Sequence, residues 1–275
     1  MSADAPSSRG LSWLRALAGS EGLLHEEPAT VRLADAMLGE SLACFVAVVP
    51  DPANRFPRAR HGELGLDEGW ALARLLRHTV EADSNAARRP IVALVDVSSQ
   101  AYGRREELLG IHLACAAAAD AYASARLAGH PVIALLVGKA MSGAFLAHGY
   151  QANRILALDD PGVMVHAMGK QAAARVTRRS LEELEELGRQ IAPMAYDVRS
   201  YSRLGLLHKL IEGVNAEAPS AADVARVRAE LLAAIADARR GPRDLSDRLA
   251  SPEAQRARAA SIEVRRRLAE QWDAA

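Results

Sequence analysis

Hydrophobic and polar positions along the chain change period several times, and each change marks an element. Residues 90–97 (PIVALVDV) are apolar almost without alternation, the pattern of a strand buried on both faces. Residues 131–137 repeat that pattern, and residues 154–158 and 163–168 predict a third and a fourth strand. Upstream, residues 30–38 and 42–49 read as two more strands. Residues 10–19 (GLSWLRALAG) have the apolar spacing of a short docking helix. Residues 51–66 form a polar loop with two prolines and two glycines. Asp67 is placed to cap a helix carrying Trp70, Leu72, Leu75, Leu76 and Val80 on its inner side. Residues 98–103 predict a polar turn and 106–127 one long helix. Strands alternating with helices imply α/β layering with right-handed crossovers.

Beyond residue 168 the pattern turns helical. Ser180 and Glu183 form a capping box for a helix over 181–191, and residues 193–204 and 206–211 predict short helices. Ser220 with Asp223 opens a helix that presents Val224, Val227, Leu231, Leu232 and Ile235 on one face and stops at Gly241-Pro242. The charged remainder to residue 275 also predicts helix. Residues 1–8 read as disordered, and no internal repeat is visible.

Composition narrows this picture. The 275 residues carry 34 basic and 34 acidic side chains, so no global field favours nucleic acid or an anionic membrane. Cys44 and Cys115 both lie in apolar runs, which predicts two buried thiols in a reducing cytosol in preference to a disulfide. No CxxC or CxxH spacing suggests zinc, so no metal is expected. The start MSADAPSSRG lacks the charged and apolar blocks of a signal peptide, and no apolar run reaches the ~20 residues of a membrane span. A soluble cytoplasmic protein without a membrane partner is the expectation.

The stretch 132–149, VIALLVGKAMSGAFLAHG, concentrates the candidate chemistry. A strand empties into small residues around a serine, and an apolar run restarts at once. A phosphate cradle is excluded: Gly138 and Gly143 have P-loop spacing, but Ala144-Phe145 stand where Lys-Ser/Thr is needed. A serine nucleophile would resemble the G-x-S-x-G elbow with alanine at both outer positions. Asp159 or Asp160, then His166 or His208, would complete the triad order. The competing reading of Ser142 is a helix N-cap or a small packing residue. A backbone oxyanion hole needs no ionisable side chain, because N–H groups of Met141, Ser142 and Gly143 at a helix start can meet a carbonyl oxygen that gains charge. Residues 99–103 (SQAYG) offer a second such turn after the preceding strand, where α/β proteins commonly bind ligands.

Three strings carry a resemblance. SQAYGRREELLGIHLA, GKAMSGAFLAHGYQA and DDPGVMVHAMGK resemble the gamma subunits of biotin-independent malonate decarboxylases, a carboxyltransferase branch of the crotonase superfamily. GLSWLRALAG and VVPDPANRFPRAR–GELGLDEGWALA resemble them too, so the likeness covers roughly residues 9 to 213. It implies a crotonase-like (ClpP/crotonase) carboxyltransferase-type α/β fold over residues 9–215, with layered sheets, surrounding helices and a helical extension over 216–275 that packs on the core or a partner. It implies a homologous beta subunit, an acyl carrier protein bearing a phosphoribosyl-dephospho-coenzyme A arm, and an acyl carrier transferase subunit. The reaction implied is loss of carbon dioxide from a malonyl thioester, with no cofactor bound by this chain and biotin not expected. Met141, Ser142 and Gly143 match the family's glycine-rich turn, and Tyr102 with Gly103 matches the preceding one. Lys139, Ala140 and Met141 depart from it, since more glycine is usual there. His166 is a candidate proton donor or a core histidine. Lys139 and Arg104 are candidate contacts for a carboxylate or the carrier's phosphates, with solvated surface cations as the plain alternative. A non-catalytic scaffold and a serine hydrolase stay open as further readings.

Overall fold

The computed structural model describes residues 6–19, 23–25 and 28–273. Helix α1 (Arg9–Ala18) comes first, followed by strands β1 (Leu23–His25), β2 (Val31–Leu38) and β3 (Ser41–Val48), which pair antiparallel. A 3-10 turn at Pro57–His61 leads to α2 (Leu66–Ala82) and β4 (Ile91–Val97). Next come α3 (Arg104–Leu108), α4 (Ile111–Leu127), β5 (Val132–Met141), α5 (Ser142–Ala147), β6 (Arg154–Leu158) and β7 (Met164–His166). Helices α6 (Lys170–Thr177), α7 (Leu181–Gln190) and α8 (Val198–Ser202) precede β8 (Lys209–Ile211). Helices α9 (Ala221–Arg240), α10 (Pro252–Ala257) and α11 (Ala259–Asp273) follow.

Among the described residues the strands form one sheet in the order β1-β2-β3-β4-β5-β6-β8, parallel from β3 onward. β6 pairs with the N-terminal half of β5, at Ile133–Leu136 of β5, and β7 pairs with its last three residues. The sheet therefore divides at β5 into two leaves. Strands β4 and β6 are buried throughout, as their mostly apolar sequences require, with Asp96 and Arg154 as the charged exceptions.

Several expectations are corrected. The long helix over 106–127 breaks at Gly110, whose φ of 83° turns the chain left-handed and separates α3 from α4. The strand expected to end at residue 137 continues to Met141. Asp67 is not the cap of α2. Gly65 is, and its N–H donates to the Glu68 carboxylate at 2.9 Å. Trp70 faces outward and is 50% exposed, because the inner face of α2 is given to a close helix crossing. A Cβ on Gly69 would stand 2.7 Å from the Ala114 backbone of α4, so only glycine permits that approach. The helix expected over 206–211 is instead a loop and strand β8, and Leu232 of α9 is 39% exposed. Cys44 is buried and Cys115 only half-buried, and both are free thiols.

Helix α1 clasps the two ends of the core together. Trp13, Leu14 and Leu17 are buried, and the Trp13 indole N–H donates to the Ala216 carbonyl at 2.9 Å. Arg9 pairs with Asp160 at 2.7 Å and with Glu217 at 2.6 Å. Val227, Leu231, Ala234 and Ile235 of α9 join the same apolar core. The disorder expected over residues 1–8 falls largely on residues 1–5, which lie outside the described residues. Among the described residues no helix is long and apolar enough to cross a membrane.

Candidate active site

The site grows from the C-terminal ends of β4 and β5. Their register slips between Val95 and Val97, so that Val95 faces Leu136 but Val97 faces Ala140. Asp96 sits at this slip. Its buried carboxylate accepts the Lys139 N–H at 3.1 Å and the Gly10 N–H of α1 at 3.3 Å. The Lys139 backbone is thereby held, while its half-buried side chain forms no ion pair among the described residues. Lys139 and Ala140, where the resemblance leads one to expect glycine, belong to the strand and pair as Lys139↔Met164 and Ala140↔Val165 with β7.

After Met141, whose side chain is buried and whose strand partner is His166, the chain turns sharply at Ser142. Ser142 has φ 57°, a left-handed conformation that costs a non-glycine residue about 1 kcal/mol. Its hydroxyl makes no hydrogen bond among the described residues and does not cap α5, which overturns the N-cap reading. Residues 142–147 then form a helix of six residues.

The second turn is pinned from outside. The Leu64 N–H donates to Ser99 O at 3.0 Å, and the Ala101 N–H donates to Leu64 O at 2.7 Å, so the backbone on both sides of Gln100 is held. The two turns then meet: the Gly143 N–H donates to Gln100 Oε1 at 2.9 Å. Gly103 caps α3 in an extended conformation, with the buried Glu106 carboxylate folded against it. Tyr102 is half exposed and makes no hydrogen bond among the described residues. Arg104 is exposed without an ion pair among them, whereas Arg105 lies over the Phe56 ring at 5.0 Å.

A cleft opens on each side of α5. One, of about 410 Å³, is mostly apolar and is lined by Ser142, Gly143, Phe145, Val165, His166 and Tyr201 among others. The other, of about 320 Å³, runs between α4 and α5 past Gln100, Glu107, His112, Cys115, Gly143 and Leu146. Gly143 therefore borders both. A larger open cleft of about 1090 Å³ lies on the outer face of α2 beside Trp70 and Arg55, and contains neither turn. Around the two site clefts, Leu108, Leu109, Leu113 and Leu146 are all more than half exposed.

His166 stacks on Tyr196 at 3.9 Å between ring centroids. Its Nδ1 lies 2.9 Å from Met168 O and 3.1 Å from Met168 N, which leaves Nε2 without a protein partner among the described residues. Burial lowers its pKa, against the opposing Met168 contact, so the ring is neutral at neutral pH. When Nδ1 accepts the Met168 N–H, the proton sits on Nε2. The serine triad is not assembled. Asp159 is held by Arg199 at 2.7 Å and Asp160 by Arg9, while His208 faces Asp237 at 3.9 Å. None of these acids reaches His166 or Ser142 by a hydrogen bond. Within the 99–103 turn a glutamine has no pattern of its own, and only its contact with Gly143 singles out Gln100.

The chain is similar to several known proteins. Residues 59–272 match the family model described as malonate decarboxylase gamma subunit. The malonyl-S-ACP:biotin-protein carboxyltransferase MADD of Malonomonas rubra is 37% identical over 193 residues, 68% of this chain and 66% of that protein. A chain in the crystal structure of a Pseudomonas malonate decarboxylase hetero-tetramer with coenzyme A is 60% identical with a TM-score of 0.91, over 96% of this chain and 99% of that one. A chain of the Pseudomonas MdcD-MdcE hetero-dimer is 59% identical with a TM-score of 0.88, over 97% and 100%. Transcarboxylase 12S, 19% identical with a TM-score of 0.63 over 86% of this chain and 41% of its own, shares the fold alone.

Proposed function

Because the chain belongs to the malonate decarboxylase gamma subunit family and has a crotonase-like carboxyltransferase fold, we propose that it works with a homologous beta subunit on a malonyl thioester. The thioester is carried by an acyl carrier protein on a phosphoribosyl-dephospho-coenzyme A arm, loaded by an acyl carrier transferase subunit. The bond between the α-carbon and the carboxylate breaks and carbon dioxide leaves. The electron pair passes to the α-carbon and the thioester oxygen, and a proton added at carbon gives the acetyl thioester. Hydrogen-bond donors aimed at that oxygen stabilise the charge in the transition state.

One observation carries the reading: the turns at Gln100 and Gly143, at the ends of adjacent parallel strands, are bound to each other with a cleft on either side. Both clefts are mostly apolar and suit an uncharged thioester arm, with its oxygen on the side of α5 that Gln100 borders. His166, whose Nε2 has no partner among the described residues, is the proposed proton donor, and Tyr102 with Gly103 marks the second turn. Lys139 and Arg104 are cations without ion-pair partners among the described residues, suited to the malonyl carboxylate or the carrier's phosphates. The exposed leucines supply a face for the beta subunit. Residues 9–215 serve as the catalytic unit and residues 216–275 as its buttress, in a cytoplasmic complex. The decisive experiment mixes the chain with its beta partner and malonyl-carrier and measures carbon dioxide release with each subunit omitted in turn.

A second reading, a docking subunit without chemistry, is favoured by the same contact, since the Gly143 N–H is already satisfied by Gln100. Loss of carbon dioxide release on substitution within the site would eliminate it.

A further inference from the structure

The contact between Gly143 and Gln100 has a direction. Gly143 N can only donate, so the side-chain atom 2.9 Å away must be the oxygen of the carboxamide. The orientation of Gln100 follows, and its Nε2 carries two hydrogens on the other side. Among the described residues Nε2 has no partner, and it is not one of the sealed, unsatisfied polar atoms of the interior. Gln100 lines the groove between α4 and α5.

Two further features hold the amide there. The backbone on either side of Gln100 is clamped by Leu64, through the Ser99 carbonyl and the Ala101 N–H. The glycine at 143 provides the room: a Cβ would stand 3.2 Å from Gln100 Oε1, 3.3 Å from Cδ and 3.7 Å from Nε2. The carboxamide thus lies flat along the main chain of the turn.

We propose that the Gln100 side-chain amide, oriented by the Gly143 N–H, is the hydrogen-bond donor this chain presents to the thioester oxygen in the α4–α5 groove. The proposal rests on the decarboxylase reading above and names its donor. The main-chain N–H of Gly143 then positions Gln100, and the Nε2 hydrogens meet the developing negative charge. Such a donor is prealigned before substrate arrives, which is the condition for electrostatic stabilisation without reorganisation.

Two substitutions in the reconstituted complex test this. Gln100→Glu keeps an oxygen for the Gly143 N–H and removes the amide hydrogens. Gln100→Ala removes both and frees the Gly143 N–H. Both are expected to lower kcat at saturating malonyl-carrier by about 10²- to 10³-fold, the range for loss of one oxyanion donor. The melting temperature should stay close to wild type. If Gln100→Ala retains or raises kcat, the Gly143 amide is itself the donor and Gln100 only covers it, which overturns the proposal. If both variants keep kcat and lose only melting temperature, Gln100 is structural and the proposal also falls. The parent reading fails by a different sign, namely carbon dioxide release from the wild-type complex with this chain left out.

Discussion

Asp96 occupies the space that any side chain at position 138 would need. A Cβ on Gly138 would fall 2.0 Å from Asp96 Oδ1 and 2.5 Å from its Cγ, and the same oxygen accepts the Lys139 N–H. Glycine and carboxylate together set the slipped register that brings the end of β5 to the site. Gly138→Ala is therefore expected to cost about 1–3 kcal/mol of stability, the usual penalty of overpacking, measured by urea unfolding. Unchanged unfolding would show that the carboxylate is free to leave.

Ser142 separates backbone from side-chain chemistry. Ser142→Ala should leave decarboxylation within a few-fold of wild type, because its hydroxyl has no partner among the described residues. A near-complete loss would restore the nucleophile. Ser142→Gly should raise stability by up to about 1 kcal/mol by relieving the left-handed φ.

Gly143→Val should abolish most turnover of the complex, since even the first added carbon crowds the Gln100 amide. The readout is the rate of carbon dioxide release from saturating malonyl-carrier. A rate equal to wild type would remove this turn from the reaction.

Carbon dioxide release by the reconstituted complex should be indifferent to avidin. The name of the Malonomonas rubra relative includes a biotin-protein acceptor, so inhibition by avidin would move this chain toward carboxyl transfer.

The buried His148 predicts a pH dependence of stability. Its ring bridges the Tyr122 hydroxyl at 2.9 Å and the Leu94 carbonyl at 3.0 Å, and burial pushes its pKa down to about 4. In the unfolded chain histidine titrates near 6.5. Between those values the unfolded state takes up a proton that the folded state refuses. This contribution is complete above the unfolded value and declines as pH falls toward 4, by about 1.4 kcal/mol per unit. His130, His166 and His208 shift in the same direction. Urea unfolding of His148→Gln at pH 7.5 and 5.0 isolates the share of His148: the variant should lose less stability on acidification than wild type does.

What the sequence reveals follows the range of the interactions involved. The buried strands β4, β5 and β6 are legible because a parallel strand covered on both faces needs a mostly apolar run. The capping boxes at Ser180 and Ser220 are legible because both partners lie three residues apart. The break at Gly110 is not, since an isolated glycine is tolerated inside a helix and only packing decides its φ. The outward position of Trp70 is not legible either, because Gly69 holds the helix crossing through a backbone approach that its sequence neighbours do not signal. Strand β8 has three residues and owes its existence to its partner β6. The turn at 138–141 became strand because Asp96 and β7, both distant in sequence, supply its hydrogen bonds. Within the site, residues 141–143 and 99–103 are visible as small or polar breaks after buried strands. Their union through Gln100 spans 43 residues and leaves no local signature.

The clasp made by α1 also governs when the molecule can be finished. Trp13 meets a partner 203 residues downstream, and Arg9 meets partners 151 and 208 residues downstream. Contacts of such separation form slowly, because loop closure must precede the gain they bring. On the ribosome the first helix can meet β3, β4 and β5 early, but its bonds to residues 216 and 217 wait until that segment has emerged. Completion of the clasp is a late event, set by the arrival of a segment that contributes none of the candidate chemistry.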